Sequence, residues 1–377
     1  MDLICFSHLR WGFVFQRPNH LMSRFARSYR TFFFEEPMFE DDDRDDWLET
    51  YEPQPGLTVC VPHLQAGGTA AQDIEATHAL LHRLITERDI APDVAWFYTP
   101  MALTFARDLR PRLMVYDCMD ELSAFMHAPP ELLALEAELL DRADLVFTGG
   151  YALYEAKRYR HRSVHAFPSS VDATHFARAR ATCEDPSDQR ALPKPRIGYF
   201  GVIDERLDPG LIEKIAYARP DWQLVMVGPI VKIDPETLPR ARNIHWLGGK
   251  SYEELPSYVA HWDVALMPFA LNESTRFISP TKTLEYLAAG KPVVSTAIAD
   301  VVRPYGVAGI VRIADHASIV GEIDLAMKRS AADIQEADAF IAGTSWDRTW
   351  NAMNALMQER LSPSTSAGTP AREVAHV

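Results

Sequence analysis

The sequence predicts an α/β protein with a doubly wound parallel sheet in each half of the chain. Three observations carry that expectation. The chain has 377 residues, enough for two domains. Short apolar runs of strand length alternate with longer amphipathic stretches, the order that produces parallel sheets. The alternation breaks at a polar, proline-rich segment ending in Pro193-Lys194-Pro195, then restarts at Arg196. The expected divisions are a first domain over 1–177, a linker over 178–195, a second domain over 196–345 and a closing helix over 346–361. Residues 362–377, rich in Ser, Thr, Pro, Ala and Gly, read as a disordered tail.

In chain order, Leu3–Phe6 reads as the first buried strand, followed by a loop over Ser7–Pro18, a helix from Asn19 to about Ser28 and a strand at Thr31–Phe34. This is a βαβ beginning, and ligands of such sheets sit beyond the C-terminal strand ends. The loop holding His8, Arg10, Trp11, Gly12 and Arg17 is therefore placed for binding, or Trp11 and Phe13 simply cover the sheet. Glu40–Asp46 is an acidic run containing a D-x-D; no rigid strand end holds it, so it reads as a mobile loop rather than a metal site. Further strands are expected at Leu57–Val61, Ala95–Tyr98, Leu113–Asp117, Asp144–Phe147 and Ser163–Phe167, with helices near 72–88, 131–142 and 151–159. Past the Leu113–Asp117 strand, Asp117, Asp120, Glu121 and Ser123 cluster. One of them is a candidate general base, or Asp117 and Asp120 cap the next helix.

The second half offers strands at Arg196–Gly201, Leu224–Pro229, Ile244–Gly248 and Val264–Phe269, each followed by a loop or helix. Gly201 would let a phosphate approach the backbone, and Arg206 would reach it with a charged fork. Gly228 and the Gly248–Tyr252 loop, with Lys250 and Tyr252, would border a base. Gly198 and Gly201 are wrongly spaced for a dinucleotide fingerprint.

The most informative stretch is Ser279-Pro280-Thr281-Lys282-Thr283-Leu284-Glu285-Tyr286-Leu287-Ala288-Ala289-Gly290-Lys291-Pro292-Val293-Val294. Ser279 reads as a helix N-cap, Pro280 as the first helical residue and Gly290 as the left-handed stop. The free N–H groups of Thr281, Lys282 and Thr283 make an anion site, strengthened by the Lys282 charge. Glu285 follows on the same face, about 5 Å along the axis, where a carboxylate accepts hydrogen bonds from a vicinal diol. Diphosphate at the tip and ribose one turn later describe a nucleotide diphosphate. Taken alone, Lys282 and Glu285 are equally a solvated surface pair.

This stretch resembles the donor-binding motif of nucleotide-sugar glycosyltransferases of the GT-B fold. The resemblance is sharpest over about 196–310 and extends to bacterial cell-surface polysaccharide enzymes of the teichuronic-acid type. It implies two Rossmann-like domains facing a cleft, with residues 346–361 crossing back to the first. It also implies a UDP- or GDP-linked sugar as co-substrate and a glycan or lipid-linked glycan as acceptor. Thr281 and Lys282 would meet the diphosphate and Glu285 the ribose; Gly12 would border donor and acceptor. Asp120 or Asp117 would serve the acceptor side, while Lys282 and Arg206 stabilise the departing diphosphate without metal. Two departures stand out. Ser169-Ser170 replaces an Asn-Gly pair, and Phe277 occupies the place of a first Glu, leaving Asn272, Glu273 or Ser274 as substitutes. A nucleotide-sugar epimerase of the same architecture and an inactive binding partner remain as rival readings.

Bulk properties narrow the partners. Hydrophobic residues at 47% and charged residues at 24% suit a globular protein, and no apolar run approaches the ~20 residues of a membrane span. The N-terminus lacks the flanks of a secretory signal. Cys5, Cys60, Cys118 and Cys183 are widely spaced with no C-x-x-C pair, against zinc and against a disulfide framework and in favour of a cytoplasmic setting. A net charge of −14 disfavours nucleic acid. Arg24, Arg27 and Arg30 are a candidate basic patch for peripheral membrane contact, or a solvated helix face.

Overall fold

The computed structural model describes residues 1–41 and 44–362. Among them fifteen strands form two sheets. The first sheet contains β1 (Asp2–Ser7), β2 (Arg30–Glu35), β3 (Met38–Glu40), β4 (Trp47–Gln54), β5 (Leu57–Gln65), β6 (Pro92–Phe97), β7 (Leu113–Cys118), β8 (Leu145–Thr148) and β9 (Val164–Ala166). Their order is β3-β5-β2-β1-β6-β7-β8-β9, with β4 antiparallel on β5 and all other pairings parallel. The second sheet contains β10 (Arg196–Phe200), β11 (Gln223–Val227), β12 (Ile244–Trp246), β13 (Val264–Met267), β14 (Val293–Ser295) and β15 (Arg312–Ile313). It is parallel throughout, in the order β12-β11-β10-β13-β14-β15.

Both sheets are buried on two faces, so their central strands read as continuous apolar runs rather than alternations. Leu3, Ile4 and Cys5 of β1, and Val264 and Ala265 of β13, are fully buried. Trp96, Trp222, Trp262 and Trp346 fill the cores. The sequence missed β4. It pairs Trp47 with His63 and Thr50 with Cys60 on the sheet edge, and its mixed polar pattern reflects one exposed face. Of the acidic run, Asp42 and Asp43 lie outside the described residues. Glu40 closes β3, and Asp46 accepts a bond from the Gln65 backbone at 3.0 Å.

The closing helix, Trp346–Leu361, packs on the first half. Trp346 stacks on His20 at 4.6 Å, Tyr29 donates to Asn354 at 3.0 Å, and Met353 and Met357 complete the first domain's core. This helix also supplies partners to the candidate basic patch. Arg24 and Arg27 pair with its Asp347, at 2.9 and 3.4 Å, and Arg30 pairs with Asp2 at 2.6 Å. All three are ion-paired, and Arg27 and Arg30 remain exposed. No helix among the described residues is long and apolar enough to cross a membrane.

The linker region 178–195 is packed rather than loose. Gln189 is buried and accepts from the Trp262 indole at 2.7 Å, while Asp185 holds Arg196 at 2.7 Å. Arg180 donates to the carbonyls of Leu287 and Ala288 at 2.9 and 2.7 Å, satisfying the end of the Thr281–Ala288 helix.

Candidate active site

A cleft of about 660 Å³ lies between the halves. The first domain contributes Trp11–Gln16, from the loop after β1. The second contributes residues that follow β10, β11 and β12, together with Thr281, Lys282 and Glu285. All of these strands present C-terminal ends, where backbone groups are freed from the ladder.

The Thr281–Ala288 helix is fixed from three sides. The Tyr286 hydroxyl accepts the Phe200 N–H at 2.9 Å, tying the helix to the end of β10. Gly290 takes φ +74° and stops it, as expected. Its start differs from the expectation. The N-cap residue is Pro280, with no side-chain cap, and the helix begins at Thr281. The Ser279 side chain is therefore not the cap; its carbonyl accepts from Ser169 at 2.7 Å instead. Thr281 also donates to Ser169, at 3.2 Å. Ser169, one of the departures from the family pattern, thus braces the helix tip from the first half. Thr283 is corrected too: it is fully buried, its hydroxyl faces Met267, and its N–H bonds Pro280. The N–H groups of Thr281 and Lys282 remain for a ligand.

Lys282 and Glu285 both face the cleft without a hydrogen bond or ion pair among the described residues. The Lys282 ammonium lies 5.7 Å from the Tyr199 ring centre. Its pKa is lowered, by burial first and then by Arg206. Glu285 is only 6% exposed, and burial raises its carboxyl pKa against the pull of Lys282. A buried carboxylate and a half-buried ammonium that face a cavity with no hydrogen bond or ion pair to the protein are poised for a ligand that supplies them. Gly201, at φ +136°, packs under the Lys282 side chain, and a Cβ there would strike Lys282 Cε. Gly228 abuts the Gly201 carbonyl equally closely. At Gly12 the surroundings are open.

Arg206 is already bidentate on Asp204, at 2.6 to 3.0 Å, and Asp204 is 6% exposed. That pair aims the guanidinium at the cleft and raises its pKa against burial. Lys250 lines the cleft, but its ammonium is held by Asp188 at 2.7 Å. Tyr252 stacks on His175 at 4.1 Å and on Phe15 of the opposite domain at 4.6 Å; its hydroxyl is buried without a partner.

The acidic segment after β7 resolves into distinct roles. Asp117 is not an accessible cleft acid. It is fully buried and gripped by Arg17 at 2.8 and 3.0 Å, and Arg17 also donates to the Phe167 carbonyl at 2.7 Å. Glu121 pairs with Lys157 at 2.6 Å and accepts from Ser123 at 2.8 Å. Of these acids, only the Asp120 side chain has no hydrogen bond or ion pair among the described residues. It is half-buried, and burial raises its pKa while Arg206, Arg17 and Lys232 pull it down. Lys232 was absent from the sequence reading. It reaches the same region through the loop after β11 and lies 5.2 Å over Phe125; a lone loop lysine carries no sequence signal.

Asn272, Glu273 and Ser274, the expected substitutes for the missing Glu, make contacts within their own turn. Asn272 caps its own turn, accepting from Ser274 at 2.7 Å and Thr275 at 3.2 Å, and Glu273 pairs with Arg276. Phe277 packs against the first domain's core, with Arg276 at 5.1 Å over its ring.

The fold is GT-B, two parallel-sheet domains facing a cleft. Residues 194–328 match the family model described as glycosyl transferases group 1, so the second half carries a domain of that family. The chain is 28% identical over 199 residues to TuaH of Bacillus subtilis (strain 168), named as a teichuronic acid biosynthesis glycosyltransferase. The match covers 48% of this chain, and the chain spans half the length of that relative. Sucrose-phosphate synthase from Thermosynechococcus elongatus superposes with a TM-score of 0.68 at 14% identity, covering 95% of this chain and 99% of that one. An Anabaena protein, HepE, in complex with UDP and glucose gives 0.65 at 14%, with the same coverage. An E. coli trehalose-6-phosphate protein bound with UDP-2-fluoro glucose gives 0.68 at 13%, again covering 95% and 99%.

Proposed function

We propose that this protein is a glycosyltransferase that moves a sugar from a UDP- or GDP-linked donor to a hydroxyl of a glycan or lipid-linked glycan, in the building of a cell-surface or extracellular polysaccharide. The observation that carries the reading is the unpartnered Lys282–Glu285 pair at the tip of a braced helix, facing the cleft beside Gly201 and Gly228. The TuaH similarity supports the polysaccharide role.

In this reading the diphosphate lies against the Thr281 and Lys282 N–H groups and the Lys282 ammonium. Arg206, held by Asp204, adds a second cation as the leaving group's charge develops. These fixed charges replace metal. Glu285 accepts the ribose hydroxyls. Tyr252, Gly228 and the Lys250 loop border the base. Asp120 reaches the reacting centre from the opposite domain and takes the acceptor proton.

A second reading, a nucleotide-sugar-binding partner without turnover, is favoured by one observation: Phe277 fills the place of the family's first Glu and is committed to the first domain's core. The deciding experiment is a thermal-shift screen of UDP- and GDP-sugars, then incubation of the stabilising donor with candidate acceptors. Stabilisation with transfer supports the transferase. Stabilisation without transfer supports the partner, and nucleotide release from donor alone with epimerised sugar supports the epimerase. No stabilisation by any nucleotide removes all three.

A further inference from the structure

We propose that His78, His82 and Asp108, on the first domain and outside the cleft, form a binding site for a zinc-class divalent cation. His78 and His82 are one turn apart on the Ala70–Glu87 helix, which places both imidazoles on one face. Their ring centres are 4.2 Å apart. Asp108, just beyond the Leu103–Ala106 helix, brings one carboxylate oxygen between them: Oδ2 is 3.2 Å from His78 Nε2 and 3.0 Å from His82 Nε2. The three ligand atoms all lie within 4.8 Å of one another.

That spacing suits a tetrahedral ion. Zinc bonds of about 2.0–2.2 Å to nitrogen and oxygen put neighbouring ligand atoms about 3.3 Å apart. The donor set, two imidazoles and a carboxylate, is the chemistry such cations select, and it leaves a coordination position for water.

A hydrogen-bonded pin between helix and loop accounts for only part of this geometry. His78 makes such a bond to Asp108. His82 Nε2 pairs with the same oxygen at 3.0 Å but off hydrogen-bond geometry, and that nitrogen is shut off from water. The two imidazole nitrogens and the carboxylate oxygen converge on one point, close enough for a single cation to bind all three. The ion would clip the Ala70–Glu87 helix to the segment after Leu103–Ala106 and would take no part in the cleft. Counting cysteines for zinc left this site out, because none of its ligands is a cysteine.

The test uses the full chain without a histidine tag, freed of metal by chelation. Zinc is titrated against a chromogenic chelator, and copper(II) replaces it for electron paramagnetic resonance. The expected result is one equivalent of zinc bound with micromolar affinity, a rise in melting temperature on binding, and a copper spectrum with coupling to two nitrogens. His82→Ala and His78→Ala should each weaken zinc at least about tenfold, since even outer-shell partners of a metal cost that much. Both rings are substantially exposed, at 40% and 44%, so the variants keep their fold, which unchanged metal-free melting verifies. Saturation only at millimolar zinc, or a His78→Ala/His82→Ala double variant that binds zinc like the wild type, overturns the proposal.

Discussion

Replacing Glu285 by Gln should weaken nucleotide binding and, in the same molecule, stabilise the ligand-free protein. The carboxylate is 6% exposed and unpartnered, and burial holds its pKa above the ordinary carboxylate value. A raised carboxylate pKa destabilises the folded state: the cost is absent below the unfolded pKa and grows as pH climbs through the folded one. Each unit of rise costs about 1.4 kcal/mol. Lys282 returns part of that cost through its attraction. It does so without a direct bond, and its own pKa is lowered, so the pair is undercompensated. Gln removes the charge and keeps the shape. Per kcal/mol recovered, the melting temperature should rise about 2–4 °C in a domain of this size. The gain should be present at pH 8 and vanish near pH 4. With UDP or GDP present the order reverses, because the ribose loses a charged acceptor worth about 1.5–3 kcal/mol, a weakening of roughly ten- to a hundredfold. A deoxyribose nucleotide should lose less. Differential scanning fluorimetry across pH, with and without nucleotide, reads both halves. A variant that melts below wild type at pH 8 without ligand, or binds nucleotide undiminished, refutes the reasoning.

Lys282→Ala should weaken nucleoside diphosphates by about tenfold or more while changing monophosphates less, since a charged hydrogen bond to phosphate is lost; calorimetry on the two ligand series checks the split. Asp120→Asn should leave nucleotide affinity near wild type and lower the transfer rate, and equal loss of both would make Asp120 a donor ligand. Chelation should leave nucleotide affinity unchanged; strict dependence on magnesium or manganese would contradict a cleft that relies on Lys282 and Arg206. Asp300 of the second half accepts the Tyr151 and Ala152 N–H groups at 2.7 and 2.8 Å, capping a first-domain helix across the interface. Asp300→Ala should cost about 0.5–2 kcal/mol, as other lost N-caps do, and small-angle scattering should report a looser pairing of the domains.

The sequence by itself determined the two-sheet architecture and the helix whose tip lines the cleft. Buried parallel strands such as Leu3–Phe6 and Val264–Met267 are apolar on both faces and short, and Gly290 takes at no steric cost the left-handed φ of +74° that ends the helix, so local chemistry was enough. The closing helix was legible for the same reason, its ends coinciding with Trp346–Leu361. What only tertiary structure decided are the pairings between residues far apart in sequence. Asp117 and Asp120 are three positions apart and chemically alike. Arg17, a hundred residues away, claims one and leaves the other free. The Ser169 brace on Thr281, the Asp347 clasp on Arg24 and the Asp108 oxygen between two histidines follow the same rule. A charge pattern shows which side chains are able to ionise or bond. Which of them find partners is fixed when the folded chain closes, since the cost of an unpaired buried charge is set by neighbours that local sequence does not name.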